Sequence, residues 1–192
     1  MGSATSKVEG FLLAGGRSSR MGRDKALLPY ASTTLATHIA TQIRDAAGNV
    51  TILAPPERYA HLGFPILADA IPDCGPLGGL YTALRQANSG ATAADWILLV
   101  ACDLPHLTAA FLRELLAAAS AEHDCIVAEA DGRLQPLCAV YHRRLLPAAE
   151  TALQCKLFKM HDFVAGLRPL RYPAPDASLL RNVNTPDEWE AA

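Results

Sequence analysis

At 192 residues, with a formal net charge of −2, 51% hydrophobic and 19% charged side chains, the chain suits one domain burying about 70% of its unfolded surface. The mildly acidic balance argues against a nucleic-acid binder, which ordinarily carries a basic stripe and a strong positive excess. No apolar stretch reaches the ~20 residues that span a bilayer, and the N-terminus lacks the basic-then-apolar order of a signal peptide, so a cytoplasmic protein with no membrane partner is expected.

In chain order, a strand is predicted over 8–14 and a helix over 34–47, where Leu35, Ile39, Ile43 and Ala46 recur at spacings of three and four and Gly48 is the stop. Strands over 50–54 and 65–68 follow, then a helix over 78–87 and a strand over 96–102. That strand, Trp96 to Cys102, is apolar without alternation, so helices should cover both its faces. Thr108 reads as the N-cap of a helix over 109–121. Beyond it come strands over 125–129 and 137–141, helices over 145–153 and 157–165, and a strand over 170–172. Thr185 and Pro186 open a last short helix over 186–190.

Apolar runs alternating with helical periods predict parallel strands joined by covering helices. The expected class is therefore α/β: a single-domain, three-layer α/β/α arrangement over residues 1–192, on a Rossmann-like, mostly parallel sheet. No repeat, low-complexity segment or linker divides the chain. Its five cysteines, Cys74, Cys102, Cys125, Cys138 and Cys155, are an odd number without a CxxC pair, as expected of reduced thiols in a reducing compartment.

The densest chemistry follows the first strand, in Leu13-Ala14-Gly15-Gly16-Arg17-Ser18-Ser19-Arg20-Met21-Gly22-Arg23-Asp24-Lys25. Paired glycines let a ligand approach the main chain, and four cations within nine residues suit a polyanion such as a nucleoside triphosphate. The segment lacks the Gly-Lys-Ser/Thr ending of a Walker A loop and the GxGxxG spacing of a dinucleotide fold. A glycine-rich turn with a solvated basic face would use the same residues. Ligands of open α/β sheets collect beyond the carboxyl ends of the strands, so this segment and Asp103, which ends the strand over 96–102, should meet on one edge. There Asp103 serves either as a Mg²⁺ ligand or as a cap for the following helix. The six histidines show no HxH or HExxH spacing, and no GxSxG elbow is present, so neither a zinc hydrolase nor a serine hydrolase is supported.

The stretch LAGGRSSRMGRDKALL, with Asp69, Gly75-Pro76-Leu77-Gly78-Gly79-Leu80, Cys102-Asp103-Leu104-Pro105 and Asn182-Val183-Asn184-Thr185-Pro186, resembles the molybdenum cofactor guanylyltransferases. The resemblance implies a fold of the nucleotide-diphospho-sugar transferase type and transfer of GMP from GTP to molybdopterin, with release of pyrophosphate. It assigns Asp103 to Mg²⁺ and the triphosphate, and makes Asn184, otherwise a turn residue, a candidate second metal ligand. Arg20 and Lys25 would hold the triphosphate, so that Arg20, Lys25 and Asp103 form the catalytic set. Main-chain groups of Leu13, Ala14, Gly15 and Gly16, with Asp69 and the turn at Gly78, would bind the nucleotide, although a loop opening a helix at Gly78 would need the same residues for geometry alone.

The Gly-Gly pair points to guanine, since related cytidylyltransferases carry Ala in its first position. Leu53 stands where family members can carry a nucleotide-contacting Asn, so a backbone group near Ala54 and Pro55 would have to serve instead. Arg143, Arg144, Lys156 and Lys159 are available for the acceptor, as is the segment Gln135-Pro136-Leu137; an ordinary solvated face would look the same. Transient contact with cofactor-delivery proteins or molybdoenzymes would complete the partners. The competing readings are a cytidylyltransferase or sugar-phosphate nucleotidyltransferase, and a non-catalytic nucleotide-binding handover protein.

Overall fold

The computed structural model describes residues 7–14, 24–89 and 94–183. Within them β1 (Val8–Leu13) is followed by a short hairpin, β2 (Pro29–Tyr30) and β3 (Thr33–Thr34), and by α1 (Leu35–Ala47). Next come β4 (Thr51–Leu53), α2 (Pro56–Tyr59), β5 (Ile66–Leu67), α3 (Gly75–Ala87) and β6 (Trp96–Ala101). The chain continues through α4 (Ala109–Ala117), β7 (Cys125–Ala130), β8 (Arg133–His142), α5 (Leu146–Gln154), α6 (Met160–Ala165) and β9 (Pro169–Pro173). The helix expected over 186–190 lies outside the described residues.

Seven strands form one sheet in the order β5-β4-β1-β6-β8-β7-β9. Successive side chains of a strand point to opposite faces, and here both faces are apolar. Leu12, Leu98 and Val100 pack under α1 and α4, whereas Phe11, Ile97 and Leu99 pack under α3, α5 and α6. Every residue of β6 is buried, as its unbroken apolar run requires. This is the three-layer α/β/α arrangement expected. Close packing reaches the backbone at Gly10, where a Cβ would stand 2.5 Å from Ile43 Cγ2 of α1 and 2.6 Å from the Asn49 carbonyl oxygen.

The ends of α1 follow its sequence. Thr34 is the N-cap rather than the first helical residue, its hydroxyl accepting from the Thr37 N–H, and Gly48 closes the helix in the left-handed region at φ 80°. Thr108 caps α4 through the Phe111 N–H. That helix stops at Ala117, four residues short of the expected end, where the N–H of Ala118 turns back to the carbonyls of Glu114 and Leu116. α3 starts three residues early, at Gly75, so Gly75-Pro76-Leu77-Gly78 is its first turn, with Pro in the position where a missing N–H costs nothing. α6 starts three residues late, after Lys156 takes φ 59°.

One strand departs from the parallel expectation: β8 runs antiparallel to both β6 and β7. Its cause is the two-residue turn Asp131-Gly132, both at positive φ (50° and 74°), between the paired Ala130 and Arg133. Such a turn matches the twist of a tight hairpin, and Asp-Gly supplies it at low steric cost. Further along, the β7–β8 register shifts between Val127 and Ala128, so that Pro136, which has no N–H to give, falls in the unpaired stretch.

Candidate active site

From β1 the chain turns outward to β4 and β5, then crosses back to place β6 on the other side of β1. The boundary between β1 and β6 is therefore the switch point of the sheet, the place where open α/β sheets form their ligand crevice. β1 and β6 run parallel and in step, Leu13 opposite Ala101, and the Cys102 N–H donates to the Leu13 carbonyl at 3.2 Å. On the other side the Ala14 N–H donates to the Leu53 carbonyl at 3.1 Å. Leu13, Ala14 and Asp103 thus stand on adjacent strand ends although they are far apart in sequence. Gly15, Gly16 and Arg20 lie outside the described residues, as does Asn184. The Val183 N–H donates to the Asp103 carbonyl at 3.1 Å, which brings the described chain to Asp103 one residue before Asn184.

Lys25 is only 7% exposed, an uncommon state for a cation. It rides on the 3-10 turn Lys25–Leu27, whose N-cap Asp24 accepts from the Ala26 N–H. Burial pushes the Asp103 carboxyl above the usual carboxylate range, while the Lys25 ammonium and the residue's own N–H pull it back. Two thiols border the same carboxylate: Cys102 and Cys138 are each pushed up to about 12, first by burial and then by the Asp103 charge, and remain protonated. Asp103 and Lys25 are thus a carboxylate and an ammonium at the end of the central strands, in surroundings dry enough to shift the first. All five cysteines are free.

Asp69 follows β5 on the same edge. Its Oδ1 is buried without a hydrogen-bond partner, and burial raises the carboxyl's pKa. The adjoining turn is pinned to α3: Thr82 Oγ1 accepts from the Ala70 N–H at 2.9 Å and donates to the Gly78 carbonyl at 2.8 Å. A Cβ at Gly78 would lie 2.8 Å from Cys74 Cβ, and one at Gly79 would lie 2.4 Å from Leu13 Cδ1. At Gly78 the obstacle is the Cβ of the N-cap residue, and at Gly79 it is the end of the Leu13 side chain, which would have to turn aside. Leu53 is 1% exposed in the core beneath α3 and presents no polar group to the crevice.

Two basic residues available for the acceptor stand at the wrong end of the sheet. Because β8 is antiparallel, its last residue, His142, pairs with Trp96, the first of β6. Arg143 accordingly reaches Asp95 at 3.5 Å, and Arg144 pairs with Asp124 at 2.9 Å, both on the edge opposite Asp103. Asp124 is held down to about 2, first by its hydrogen bonds with Arg168 and also by those with Arg144, so these arginines brace the far edge. Lys156 and Lys159 lie in the α5–α6 connection and are exposed. Lys156, with Ile71, Cys74, Leu153 and Phe158, lines a cavity of about 320 Å³ beside the start of α3. Gln135, Pro136 and Leu137 occupy the irregular part of β8, next to the Val100–Cys138 pair at the end of β6.

Sequence reading missed Arg58 and Tyr59 of α2. The Tyr59 hydroxyl lies 2.8 Å from both the Ala14 carbonyl and Asp24 Oδ2, and the Arg58 guanidinium pairs with that same Oδ2. Pro55-Pro56 was a signal for a helix start, but nothing local marked Arg58 and Tyr59 as reaching Asp24.

Residues 10–168 match the MobA-like NTP transferase domain. The chain belongs to that family. It is 34% identical over 186 residues to a protein of Carboxydothermus hydrogenoformans named "Probable molybdenum cofactor guanylyltransferase", covering 93% of this chain and 91% of that one. A protein of the same name from Nostoc is 35% identical, covering 92% and 86%. Among solved structures, molybdopterin-guanine dinucleotide biosynthesis protein A from Archaeoglobus fulgidus superposes with a TM-score of 0.79 at 19% identity, over 95% of each chain. A cytidylyltransferase from Leptospira borgpetersenii reaches 0.70 at 13% identity, over 96% of this chain and 83% of that one. At such identities the likeness concerns the fold, and guanine and cytosine transferases share it. The fold alone therefore does not fix the choice of base. Among the described residues no helix is long and apolar enough to cross a membrane.

Proposed function

We propose that this member of the family transfers GMP from GTP to the phosphate of molybdopterin, releasing pyrophosphate and forming the guanine dinucleotide of the cofactor. The observation that carries the base assignment is the buried, unpartnered Oδ1 of Asp69. A carboxylate only accepts, and leaving one of its oxygens buried and unpaired is costly, so a bound nucleotide is expected to bring a donor to it, from the ribose or from the base. Among the bases, guanine can serve both carboxylate oxygens at once, through its N1–H and exocyclic amine. Cytosine has one donor group beside acceptors, and uracil has a donor flanked by two. The names of relatives such as that from Carboxydothermus hydrogenoformans support the same base and acceptor.

In-line attack of the acceptor phosphate on the α-phosphorus needs no covalent enzyme intermediate; the protein has to align two anions and offset their charge. Lys25 supplies a buried cation close enough to Asp103 to act on its charge, and Arg20 would add a planar fork. The hard oxygen donors of Asp103 suit Mg²⁺, which takes one or two carboxylates and completes its shell with phosphate oxygens and water. Asn184, the next residue after Val183, is the second ligand proposed. When bound, the metal would polarise the phosphoryl group and offset charge on the leaving pyrophosphate. Acceptor binding is assigned to the side of Gln135 to Leu137 and of Lys156 and Lys159, since Arg143 and Arg144 face the other edge.

Thermal denaturation with GTP, CTP or UTP and Mg²⁺ tests the base assignment. GTP at 100 times its dissociation constant is expected to stabilise by about 2.7 kcal/mol, a rise of roughly 5–10 °C for a chain this size, while equal CTP or UTP gives little. Equal shifts with all three would overturn the guanine assignment.

A further inference from the structure

Two short pieces of chain deliver the groups of the crevice. One is the end of β1, at Ala14; the other is the turn that begins at Asp24 and carries Lys25. Tyr59 joins them. Its hydroxyl has a single proton and lies 2.8 Å from both the Ala14 carbonyl oxygen and Asp24 Oδ2. The side chain is completely buried, and burial together with the Asp24 carboxylate raises its pKa, so the hydroxyl stays a donor at every working pH. Arg58, half exposed on the same turn of α2, pairs with Asp24 Oδ2.

Charge explains why this contact matters to a neighbour. Asp24 and Asp103 are both carboxylates close to the one buried Lys25, and both act on the Cys102 thiol, where Lys25 opposes them. An uncompensated Asp24 would compete with Asp103 for the Lys25 ammonium and would repel an incoming polyphosphate. With Arg58 as its counter-ion, Asp24 can cap the 3-10 turn without that cost.

We propose that Arg58 and Tyr59 are positioning residues of the nucleotide site, acting through Asp24: Tyr59 ties the Lys25 turn to the end of β1, and Arg58 cancels the Asp24 charge so that Lys25 faces the phosphates. This rests on the reading that a triphosphate binds between Lys25 and Asp103. It assigns a role to two side chains that never touch the nucleotide.

Inorganic tripolyphosphate, titrated calorimetrically into the full-length protein, tests the charge pathway independently of base, acceptor and turnover. Arg58→Gln is expected to weaken binding about tenfold, the scale of one partly exposed charge lost beside an anion site, and Arg58→Lys to restore most of it. In an Asp24→Asn background, Arg58→Gln is expected to have no further effect, because no charge is left to cancel. Tyr59→Phe is expected to weaken binding in both backgrounds, since it cuts the tie to Ala14. A full tenfold loss for Arg58→Gln in the Asp24→Asn background, or a fall in melting temperature with unchanged affinity, would overturn the proposal. GTP turnover is read separately: the expected coupling in a protein that binds tripolyphosphate but does not turn over GTP rejects guanylyl transfer and leaves the Arg58–Asp24 pathway standing.

Discussion

Replacing Asp103 with Ala is expected to leave the sheet intact and to lower pyrophosphate release from GTP by about 10²–10³-fold, or ~2.7–4 kcal/mol, the cost of losing one preorganised electrostatic group. The fold should tolerate the change because the Asp103 side chain pays a desolvation cost without serving the core: its pKa is raised chiefly by burial, and its structural hydrogen bond to Val183 uses the backbone carbonyl. Thermal denaturation should still show one cooperative transition, at a melting temperature somewhat below the parent's because the buried Lys25 loses a counter-charge. Steady-state assays across a Mg²⁺ titration supply the other half of the test, with the loss not recovered at saturating metal. GTP-dependent release persisting in the variant would remove Asp103 from the metal site.

Lys25→Met is expected to produce a comparable loss, with a signature of its own in the pH profile. The Lys25 ammonium holds the Asp103 carboxyl down against the burial that raises it. With the cation gone, burial acts alone, the Asp103 pKa rises further, and the carboxylate form needed by a metal is lost at a higher pH. The acidic limb of kcat/KM should accordingly move to higher pH in Lys25→Met, in addition to a fall of about 10²-fold or more on the plateau. Methionine keeps the length and apolar character of the buried stem, so stability should change little. A plateau loss with an unmoved acidic limb would mean that Lys25 serves the phosphates without setting the state of Asp103.

Much of this arrangement was readable in the residues. Both faces of β6 are covered because Trp96 to Ala101 has no polar position to turn outward, and α1 ends at Gly48 because a left-handed residue is needed there. That Ala14 and Asp103 follow the ends of adjacent strands agrees with the rule that ligand loops gather at the carboxyl ends of parallel strands, and β1 and β6 run in register. Strand direction was harder to see. A parallel strand over 137–141 would have delivered Arg143 and Arg144 to the ligand edge; the Asp131-Gly132 hairpin reverses it and sends both to the far edge. That dipeptide was the available signal, and it outweighs any count of basic residues. Elements of two to four residues, such as β2, β3 and α2, are too short to show a period, so the Ala14–Tyr59–Asp24 contact had no trace in hydrophobic pattern. The glycines of α3 had a reading in packing as well as in ligand approach, and the closeness of Leu13 to Gly79 gives the packing reading its atoms.

The most direct measurement is product formation by the full-length protein given molybdopterin, Mg²⁺ and one nucleoside triphosphate at a time. The account predicts stoichiometric pyrophosphate and a guanine dinucleotide from GTP, dependent on the acceptor, with CTP and UTP turned over at least about tenfold more slowly, because neither base can serve both oxygens of the Asp69 proposed to bind it. Preferential turnover of CTP, or tight GTP binding with no pyrophosphate released in the presence of the acceptor, would contradict it.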